Sequence, residues 1–283
     1  MQTMLLRGYH LPADRPAVMG IVNVTPDSFA DGGRHLEPAA AIAHAQALVA
    51  EGADILDIGA ESTRPGATPV TADEELARLL PVLDGVLGLG RPVSVDTMKP
   101  AVMHAVVARG AAMLNDVRGF RATQAFAAAV EAAGQGVGLA IMHMAGEPRT
   151  MQAAPAYADV CAEVDAWLAE RIAAFSAAGV APAQLCIDPG FGFGKNLEHN
   201  LALLRGLKRL TRHGVTVLAG LSRKSMLGAL TGRRDPGERL AASIAAALIA
   251  AANGATILRV HDVAATRDAL AVWCATRTAD ERT

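Results

Sequence analysis

The chain has 283 residues, a formal net charge of -2 and 4% aromatic residues. Its basic residues are scattered, so neither a nucleic-acid surface nor an acidic tail is indicated. The length exceeds that of most single domains, but it suits a barrel of alternating strands and helices, which runs to about 250 residues as one domain. We therefore expect one domain over residues 1–283.

Cysteine usage and hydropathy predict a cytoplasmic protein. Cys161, Cys186 and Cys274 are far apart and lie in apolar segments, which is typical of small core residues in a reducing compartment, and their spacing matches no zinc site. Residues 1–10 contain no continuous apolar run, so no targeting segment is predicted. The most apolar window, Leu240 to Ala252, is shorter than the roughly 20 residues that span a bilayer.

That alanine-rich window is also apolar on nearly every side of a helix. Such a helix has to be covered on two faces, either by neighbouring helices or by a second copy of the chain. We expect a homodimer with this segment near its interface.

Short apolar runs alternate along the chain with alanine-rich stretches of helical spacing. The helical stretches lie near residues 38–51, 73–88, 99–109, 122–133, 159–178, 197–211, 237–252 and 263–276. Continuous apolar runs are typical of parallel strands that are covered by helices. The eight runs are Ala17 to Val22, Ile55 to Ile58, Pro92 to Val95, Ala112 to Leu114, Gly138 to Met142, Leu185 to Ile187, Val215 to Leu218 and Thr256 to Val260.

Eight such units, at about 30 to 35 residues each, predict an α/β fold of the closed (β/α)8 or TIM-barrel type, with eight parallel strands surrounded by helices. An open doubly wound sheet is the alternative, but its glycine fingerprint is missing after the first run.

Polar residues follow the apolar runs at one end only. Chemistry in such barrels sits at the carboxyl ends of the strands, so these residues are candidates for a common site. They are Asn23 to Gly33, Gly59 to Gly66, Asp96 and Thr97, Asn115 and Asp116, His143 and Met144, Asp188, Ser222 to Ser225, and Arg259 to His261.

The longest polar segment is Asp188-Pro-Gly-Phe-Gly-Phe-Gly-Lys195. Its three glycines permit backbone angles that are closed to other residues and allow close approach to a ligand. Two phenylalanines in a flexible loop offer a stacking surface, and a carboxylate beside them suits a flat heterocycle with N–H donors. The alternative is a plain glycine-rich turn in which Asp188 caps the helix that starts near Asn196.

The order of these motifs resembles the dihydropteroate synthase family, the folate-pathway enzymes that sulfonamides target. The resemblance covers about Val18 to Val263, and its one small departure is Ala60, where glycine is more usual. The motifs are Asn23-Val-Thr-Pro-Asp-Ser-Phe, Glu61-Ser-Thr-Arg-Pro-Gly, Ser94-Val-Asp-Thr, the segment around Met142-His-Met, the segment from Asp188 to Lys195, Ser222-Arg-Lys-Ser and Arg259-Val-His-Asp.

The resemblance implies a transferase that joins 6-hydroxymethyl-7,8-dihydropterin pyrophosphate to para-aminobenzoate and releases pyrophosphate. It implies pterin contacts from Asp96, Asn115, Asp188, Lys224 and Arg259, and diphosphate contacts from Asn23, Thr63, Arg259 and His261. It implies para-aminobenzoate contacts from Thr63, Arg64, Pro65, Phe193, Lys224 and Ser225. Asn23 would bind Mg²⁺ through a hard oxygen. The residues expected to act in catalysis are Asp96, Lys224, Arg259, His261 and Asp31.

The expected mechanism is a dissociative substitution, in which diphosphate leaves before the neutral amine attacks. Loops 24–36 and 59–70 are expected to be mobile when empty and to close over both substrates, excluding water. His143 is expected to be structural. The remaining histidines are expected at the surface, namely His10, His35, His44, His104, His199 and His213.

Three rival functions fit parts of the sequence. An aldolase could form a Schiff base on Lys224, and a glycosidase could use Asp96 and Asp188 as paired carboxylates, although few aromatic residues are present to stack on sugars. The third is a pterin-binding paralogue without turnover, or a folate methyl-carrier domain. The chain keeps the residues that the resemblance assigns to the diphosphate and to para-aminobenzoate. This favours an enzyme over a protein that only binds a pterin or carries a methyl group.

Overall fold

The computed structural model describes residues 4–24, 37–59, 61, 70–147 and 150–277, and these form the predicted barrel. All eight strands are parallel, and the sheet closes in the order β1 to β8 because β1 pairs with both β2 and β8. The strands are β1 Ala17–Asn23, β2 Ile55–Gly59, β3 Val93–Asp96, β4 Met113–Asp116, β5 Gly138–Met142, β6 Leu185–Asp188, β7 Thr216–Ala219 and β8 Ile257–Val260.

Nine α-helices lie within the described residues, one more than the sequence predicted. The unpredicted helix is α7, which directly follows the Ser222-Arg-Lys motif and is only 7 residues long. The helices are α1 Glu37–Ala50, α2 Ala72–Val86, α3 Pro100–Arg109, α4 Thr123–Gly134, α5 Val160–Ala177, α6 Leu197–Gly206, α7 Ser225–Thr231, α8 Leu240–Ala252 and α9 Val263–Thr276.

Strand residues alternate between two apolar clusters. Side chains such as Met19 and Ile257 pack with one another inside the barrel, whereas their sequence neighbours Val18 and Leu258 join the layer between strands and helices. This period of two is what a closed sheet with a filled interior requires. The polar residues at the carboxyl ends therefore divide into inward-facing and outward-facing positions.

The amino end of the barrel is closed by the segment before β1. Met4 and Leu6 are buried in the interior cluster. The Arg7 guanidinium donates hydrogen bonds to the carbonyl oxygens of Val107 (2.7 Å) and Ala111 (3.1 Å), which fixes the segment against α3. The open, polar end is thus the carboxyl end.

The cysteine prediction was correct for one residue of three. Cys186 is fully buried inside the barrel, whereas Cys161 and Cys274 lie on outer helices and are only half-buried; all three are free thiols. Within the described ranges, every helix is too short or too polar to cross a membrane.

Candidate active site

The site residues lie at inward-facing strand positions. Each is the next inward-facing position, towards the carboxyl end, after the residues that fill the barrel interior. On each contributing strand, a small or apolar interior residue is followed two positions later by a polar one, which the period of two directs to the same side. The pairs are Ile55 and Asp57, Ser94 and Asp96, Met113 and Asn115, Cys186 and Asp188, and Ile257 and Arg259. Five strands therefore deliver polar side chains into one cup.

Arg259 joins two carboxylates on the floor of this cup. Its Nε donates to Oδ2 of Asp57 at 2.6 Å, and its Nη2 lies 3.7 Å from Oδ2 of Asp96. Asp57 is fully buried, and its Oδ1 has no hydrogen-bond partner among the described residues. Asp57 is not among the residues predicted for the site because it lies inside an apolar run, although a lone acid at an inward-facing position is itself a signal.

The electrostatics of this group are set by burial. Burial, with the nearby Asp57 charge, raises the pKa of Asp96 to about 8, and Arg259 opposes the rise. Burial also works against the charge of Arg259, but Asp57 and Asp96 outweigh it and raise the pKa of the guanidinium above its ordinary value. Arg259 therefore stays cationic, while Asp96 can exchange a proton near neutral pH.

Asn115 and Asp116 are neighbours with different tasks. Asn115 is a buried residue at an inward-facing position, and its Cα pairs with that of Asp96 across β3 and β4. Asp116 instead accepts the backbone N–H groups of Arg118 (2.7 Å) and Phe120 (2.9 Å), which holds the turn after β4. Burial raises the pKa of Asp116 to about 6, against those two hydrogen bonds. Asp116 thus stabilises the loop.

The loop after β6, residues 189–194, has its backbone held by side chains. Gly190, Gly192 and Gly194 all have positive φ, at 68°, 78° and 63°, so the predicted need for glycine is confirmed. Five consecutive carbonyl oxygens each accept a side-chain hydrogen bond. The donors are Lys195 for Gly190 and Phe193, Lys224 for Phe191, Gln152 for Gly192 and Tyr157 for Gly194.

The two rings of this loop do not form the predicted pair of stacking surfaces. Phe191 is fully buried in the outer core, so that part of the prediction was wrong. Phe193 remains partly exposed, with the Lys224 ammonium 4.6 Å from its ring centroid. The capping alternative for Asp188 is also wrong, since Asn196 caps α6.

Asp188 and Lys224 bring opposite charges to the wall of the cup. Asp188 is buried, and its Oδ1 accepts the N–H of Gly190 at 2.7 Å. Burial raises the pKa of Asp188 and lowers that of Lys224 to about 8, and each charge opposes the shift of the other. Lys224 is the N-cap of α7, and the exposed Ser225 is the first residue of that helix.

The ends of β7 and β8 are tied together beside the start of α9. Oγ of Ser222 lies 3.0 Å from Nδ1 of His261 and accepts the His261 backbone N–H at 3.2 Å. Arg223 adopts a positive φ of 58°, and its guanidinium binds both oxygens of Asp262, the N-cap of α9. A strained non-glycine residue at this point is typical of a functional turn.

Asn23 is the last residue of β1 and has an exposed side chain. Strand pairing places it at the same level of the barrel as Asp96. The Asn23 Cα pairs with Gly59, and Gly59 pairs with Asp96. A Cβ on Gly59 would lie 3.5 Å from Cβ of Asp96, an ordinary van der Waals contact, so β2 and β3 pack closely at this level. Asp31, Thr63, Arg64 and Pro65, together with most of loops 24–36 and 59–70, lie outside the described residues.

Histidine placement follows the predictions with one exception. His143 is buried and contacts Lys195, and burial lowers its pKa to about 3, with Lys195 adding to the effect. His10, His44 and His104 are exposed, and His199 is half-buried. His213 was wrongly placed at the surface, since its Nε2 lies 2.8 Å from Oδ1 of the buried Asp165 and its side chain is 12% exposed. His35 lies outside the described residues.

Comparison with known proteins gives a consistent relationship. A family model described as "Pterin binding enzyme" matches residues 19–261. The dihydropteroate synthase of Neisseria meningitidis serogroup B is 49% identical over 270 residues, covering 94% of both chains. The solved structure of Xanthomonas albilineans dihydropteroate synthase with 4-aminobenzoic acid has a TM-score of 0.90 at 53% identity and covers 97% of both chains.

A second Xanthomonas albilineans dihydropteroate synthase structure, in complex with 7,8-dihydropteroate, has a TM-score of 0.85 at 48% identity and covers 97% of this chain and 98% of the other. Agreement of sequence and fold over nearly the whole length excludes a relationship through the barrel alone. The chain belongs to the dihydropteroate synthase family of pterin-binding enzymes.

Proposed function

We propose that this chain condenses 6-hydroxymethyl-7,8-dihydropterin pyrophosphate with para-aminobenzoate, giving 7,8-dihydropteroate and pyrophosphate for folate biosynthesis. The observation that carries the proposal is the joining of Asp96, Arg259 and Asp57 on the floor of the cup, with Asp188 and Lys224 on its wall. The relatives' complexes with 4-aminobenzoic acid and 7,8-dihydropteroate support the substrate class.

The pterin ring fits the inner part of the cup. Its adjacent N–H groups need carboxylate acceptors, and Asp188 and Asp96 supply them from different strands. Asn115 offers both a donor and an acceptor, and the Lys224 ammonium donates to a ring oxygen or nitrogen. Arg259 is held by Asp57, and its planar guanidinium is proposed to lie on the ring plane.

The diphosphate would lie towards β1 and β8. Arg259 and His261 offer cationic or N–H groups there, and α9 begins just beyond them at Val263, so its dipole favours negative charge at the same end. The Ala264 N–H itself donates to Glu51 at 3.2 Å. Asn23 would hold Mg²⁺. A single exposed amide oxygen is a hard donor, and no cluster of three metal-binding side chains occurs among the described residues, which suits an ion whose other ligands are phosphate oxygens and water. When bound, the ion would neutralise phosphate charge.

The amine would occupy the outer rim. Phe193 presents its ring to the benzoate ring, and Ser225 lies exposed at the start of α7, where its hydroxyl can donate to the carboxylate. Lys224 lies between the two subsites, above the Phe193 ring. Sulfonamides would compete for this rim, because they share the aniline of the substrate. Thr63, Arg64 and Pro65 complete the proposed seat from the second loop.

In the proposed chemistry the C–O bond to the diphosphate breaks first, and both electrons leave with pyrophosphate. The methylene cation that remains is delocalised into the dihydropterin ring and stabilised by the negative charges of Asp96 and Asp188. The lone pair of the neutral amine then forms the C–N bond, and the new N–H⁺ group loses its proton to solvent or pyrophosphate. Asp31 is proposed to approach the developing cation from the first loop.

A product assay tests this proposal. The purified chain, given both substrates and Mg²⁺, is expected to form 7,8-dihydropteroate and pyrophosphate in equal amounts, and Lys224→Ala is expected to lose at least ~100-fold in kcat/KM. Binding of the pterin without turnover in the unmodified chain would favour the non-catalytic paralogue instead. Borohydride trapping of a ketone on Lys224 would favour the aldolase.

We also propose a cytoplasmic homodimer that uses the outer surface of α7 to α9. Four of the five exposed large apolar side chains in the described part of the chain lie there, namely Leu230, Leu240, Ile249 and Val272. A second copy would cover them. Sedimentation of the unmodified chain and of Ile249→Glu is the test; a monomer in both contradicts the proposal.

A further inference from the structure

Lys195 is a buried cation that the proposed chemistry does not use. It is 3% exposed, at the end of the loop after β6. No carboxylate of the described residues lies within ion-pair distance of its Nζ. Burying an ammonium is costly, and burial lowers the pKa of Lys195 to about 7, while the more distant Asp188 charge opposes the shift. The direct contacts that offset the cost all come from uncharged acceptors. A cation kept at this position therefore has a task that an apolar side chain would not perform.

Nζ of Lys195 is surrounded by acceptors from the loop and from the end of β5. It donates to the carbonyl oxygens of Gly190 (3.0 Å) and Phe193 (2.9 Å), and its third N–H is shared between Nδ1 of His143 and the His143 carbonyl oxygen (3.3 Å). Nδ1 of His143 lies 3.0 Å away. Because an ammonium has no lone pair, Nδ1 must accept, so His143 is neutral and carries its proton on Nε2.

The loop packs tightly around this ammonium. A Cβ added to Gly190 would lie 1.9 Å from the His143 carbonyl oxygen and 3.4 Å from Nζ of Lys195. The His143 ring is itself held edge-on against Trp167, with centroids 5.1 Å apart. The chain of contacts runs from Trp167 through His143 and Lys195 to the backbone of Phe193, whose ring faces the proposed amine seat.

We propose that Lys195 is a positioning residue for the amine half of the condensation. Its ammonium holds the carbonyl oxygens of Gly190 and Phe193 against His143, and so fixes the Phe193 ring beside Lys224. The inference rests on the proposed function for its catalytic part. The anchoring of the loop is a separate, structural part, and it can be measured without turnover.

Lys195→Met is the test, because methionine fills the same space without donors. We expect the KM for para-aminobenzoate to rise about 10-fold and the KM for the pterin diphosphate to rise by no more than about 2-fold. The smaller rise reflects the loss of the Lys195 charge and the loosening of the Gly190 N–H, both of which act on Asp188, while Asp188 and Asp96 stay on their strands. Hydrogen exchange of the amides of residues 190–194 is expected to quicken at least ~10-fold.

Arg7→Met is the matched control. Arg7 also holds two backbone carbonyl oxygens, but at the opposite end of the barrel. The Arg7→Met variant is expected to lower the midpoint temperature of unfolding without changing either KM or the hydrogen exchange of residues 190–194. The proposal is overturned if the KM for para-aminobenzoate is unchanged in Lys195→Met. It is also overturned if this KM rises equally in Arg7→Met.

A second pair of variants covers the case in which Lys195→Met does not fold. Asparagine can place Oδ1 where the histidine has Nδ1, so His143→Asn is expected to keep the amine KM within about 3-fold, whereas His143→Leu raises it. Equal amine KM values in both variants overturn the proposal. An unmodified chain that forms no product would overturn the proposed function and the amine role, and hydrogen exchange would still decide whether Lys195 anchors the loop.

Discussion

Asp57 and Arg259 are 202 positions apart in the chain, and their side chains meet at 2.6 Å inside the barrel. The contact joins β2 to β8 across β1, so it forms only when the barrel closes. It also fixes the guanidinium in the position from which Nη2 lies 3.7 Å from Asp96. One buried acid thus sets the place and the charge of the floor of the site.

Asp57→Asn is expected to lower both activity and stability. It removes the charge that holds Arg259, so we expect kcat/KM to fall about 100-fold, as for loss of a positioned charged group. The free energy of unfolding should fall by about 2 kcal/mol, less than the roughly 3–5 kcal/mol of a fully buried pair, because Arg259 is 24% exposed. Steady-state kinetics and urea unfolding measure the two effects.

Asp84→Asn is the matched control for that variant. Asp84 also binds an arginine, Arg109, at 2.6 Å, but both side chains are about half exposed, at 53% and 46%. Its loss should cost less than about 0.5 kcal/mol and leave kcat/KM unchanged. Equal losses of unfolding free energy in the two variants would mean that the buried Asp57–Arg259 pair stabilises the fold no more than the exposed Asp84–Arg109 pair.

The pH dependence of kcat/KM for the pterin substrate is expected to be bell-shaped with its maximum near pH 8. Asp96, whose pKa is raised to about 8 by burial and Asp57, gains its charge as pH rises, and Lys224, whose pKa burial lowers to about 8, loses its charge over the same range. Both charges are needed for the pterin contacts, so activity falls on either side.

Two variants separate the limbs of that profile. Asp96→Asn should flatten the acid limb and leave the alkaline one, and Lys224→Gln should do the reverse, each at lower activity. Since titration of the substrate phosphates is common to all three proteins, the differences between the profiles report the two side chains. An unmodified chain with constant kcat/KM from pH 6.5 to pH 9.5 would contradict the prediction.

Gly190→Ala is expected to disrupt the loop after β6. Gly190 has a φ of 68°, and its new Cβ would lie 1.9 Å from the His143 carbonyl oxygen, so the loop must move. We expect a stability loss above about 2 kcal/mol and a large loss of activity. Gly179→Ala has a comparable φ of 88° with no atom within 4 Å of the added Cβ, and should cost only about 1 kcal/mol. Thermal unfolding of both variants separates the two costs. Gly179→Ala measures backbone strain at positive φ, and the additional loss in Gly190→Ala measures the steric clash.

Several features of the site follow from the sequence because side chains along each strand alternate between inward-facing and outward-facing positions. Counting from the interior residue Met113 places Asn115 inward and Asp116 outward, and the same count from Ile55 would have identified Asp57 as a site residue. Asp57 lies within the apolar run Ile55 to Ile58, so it is not among the polar residues that follow the runs, and only the alternation points to it.

Other features could not be read from the sequence. The burial of Phe191 and the exposure of Phe193 depend on three positive φ angles, and nothing in an alternating Gly-Phe sequence says which ring faces the core. Helix α7 is too short to give a helical period, and its position depends on the Arg239 guanidinium, which donates to the carbonyl oxygens of Arg223 and Arg233 on either side of the helix. These are tertiary effects.

His143 is expected to make folding stability depend on pH. Burial, and then Lys195, lower its folded pKa to about 3, against an ordinary value of 6.5. The unfolded chain therefore binds the extra proton first, so the contribution of neutral His143 is complete above pH 6.5 and is lost as pH falls towards 3. His143→Asn lacks this titration, and the difference in unfolding free energy between the two proteins should change by about 1.4 kcal/mol per pH unit below pH 6. Urea unfolding at pH 7, 6 and 5 measures it; parallel curves would mean that His143 is protonated in the folded protein and that Lys195 has another acceptor.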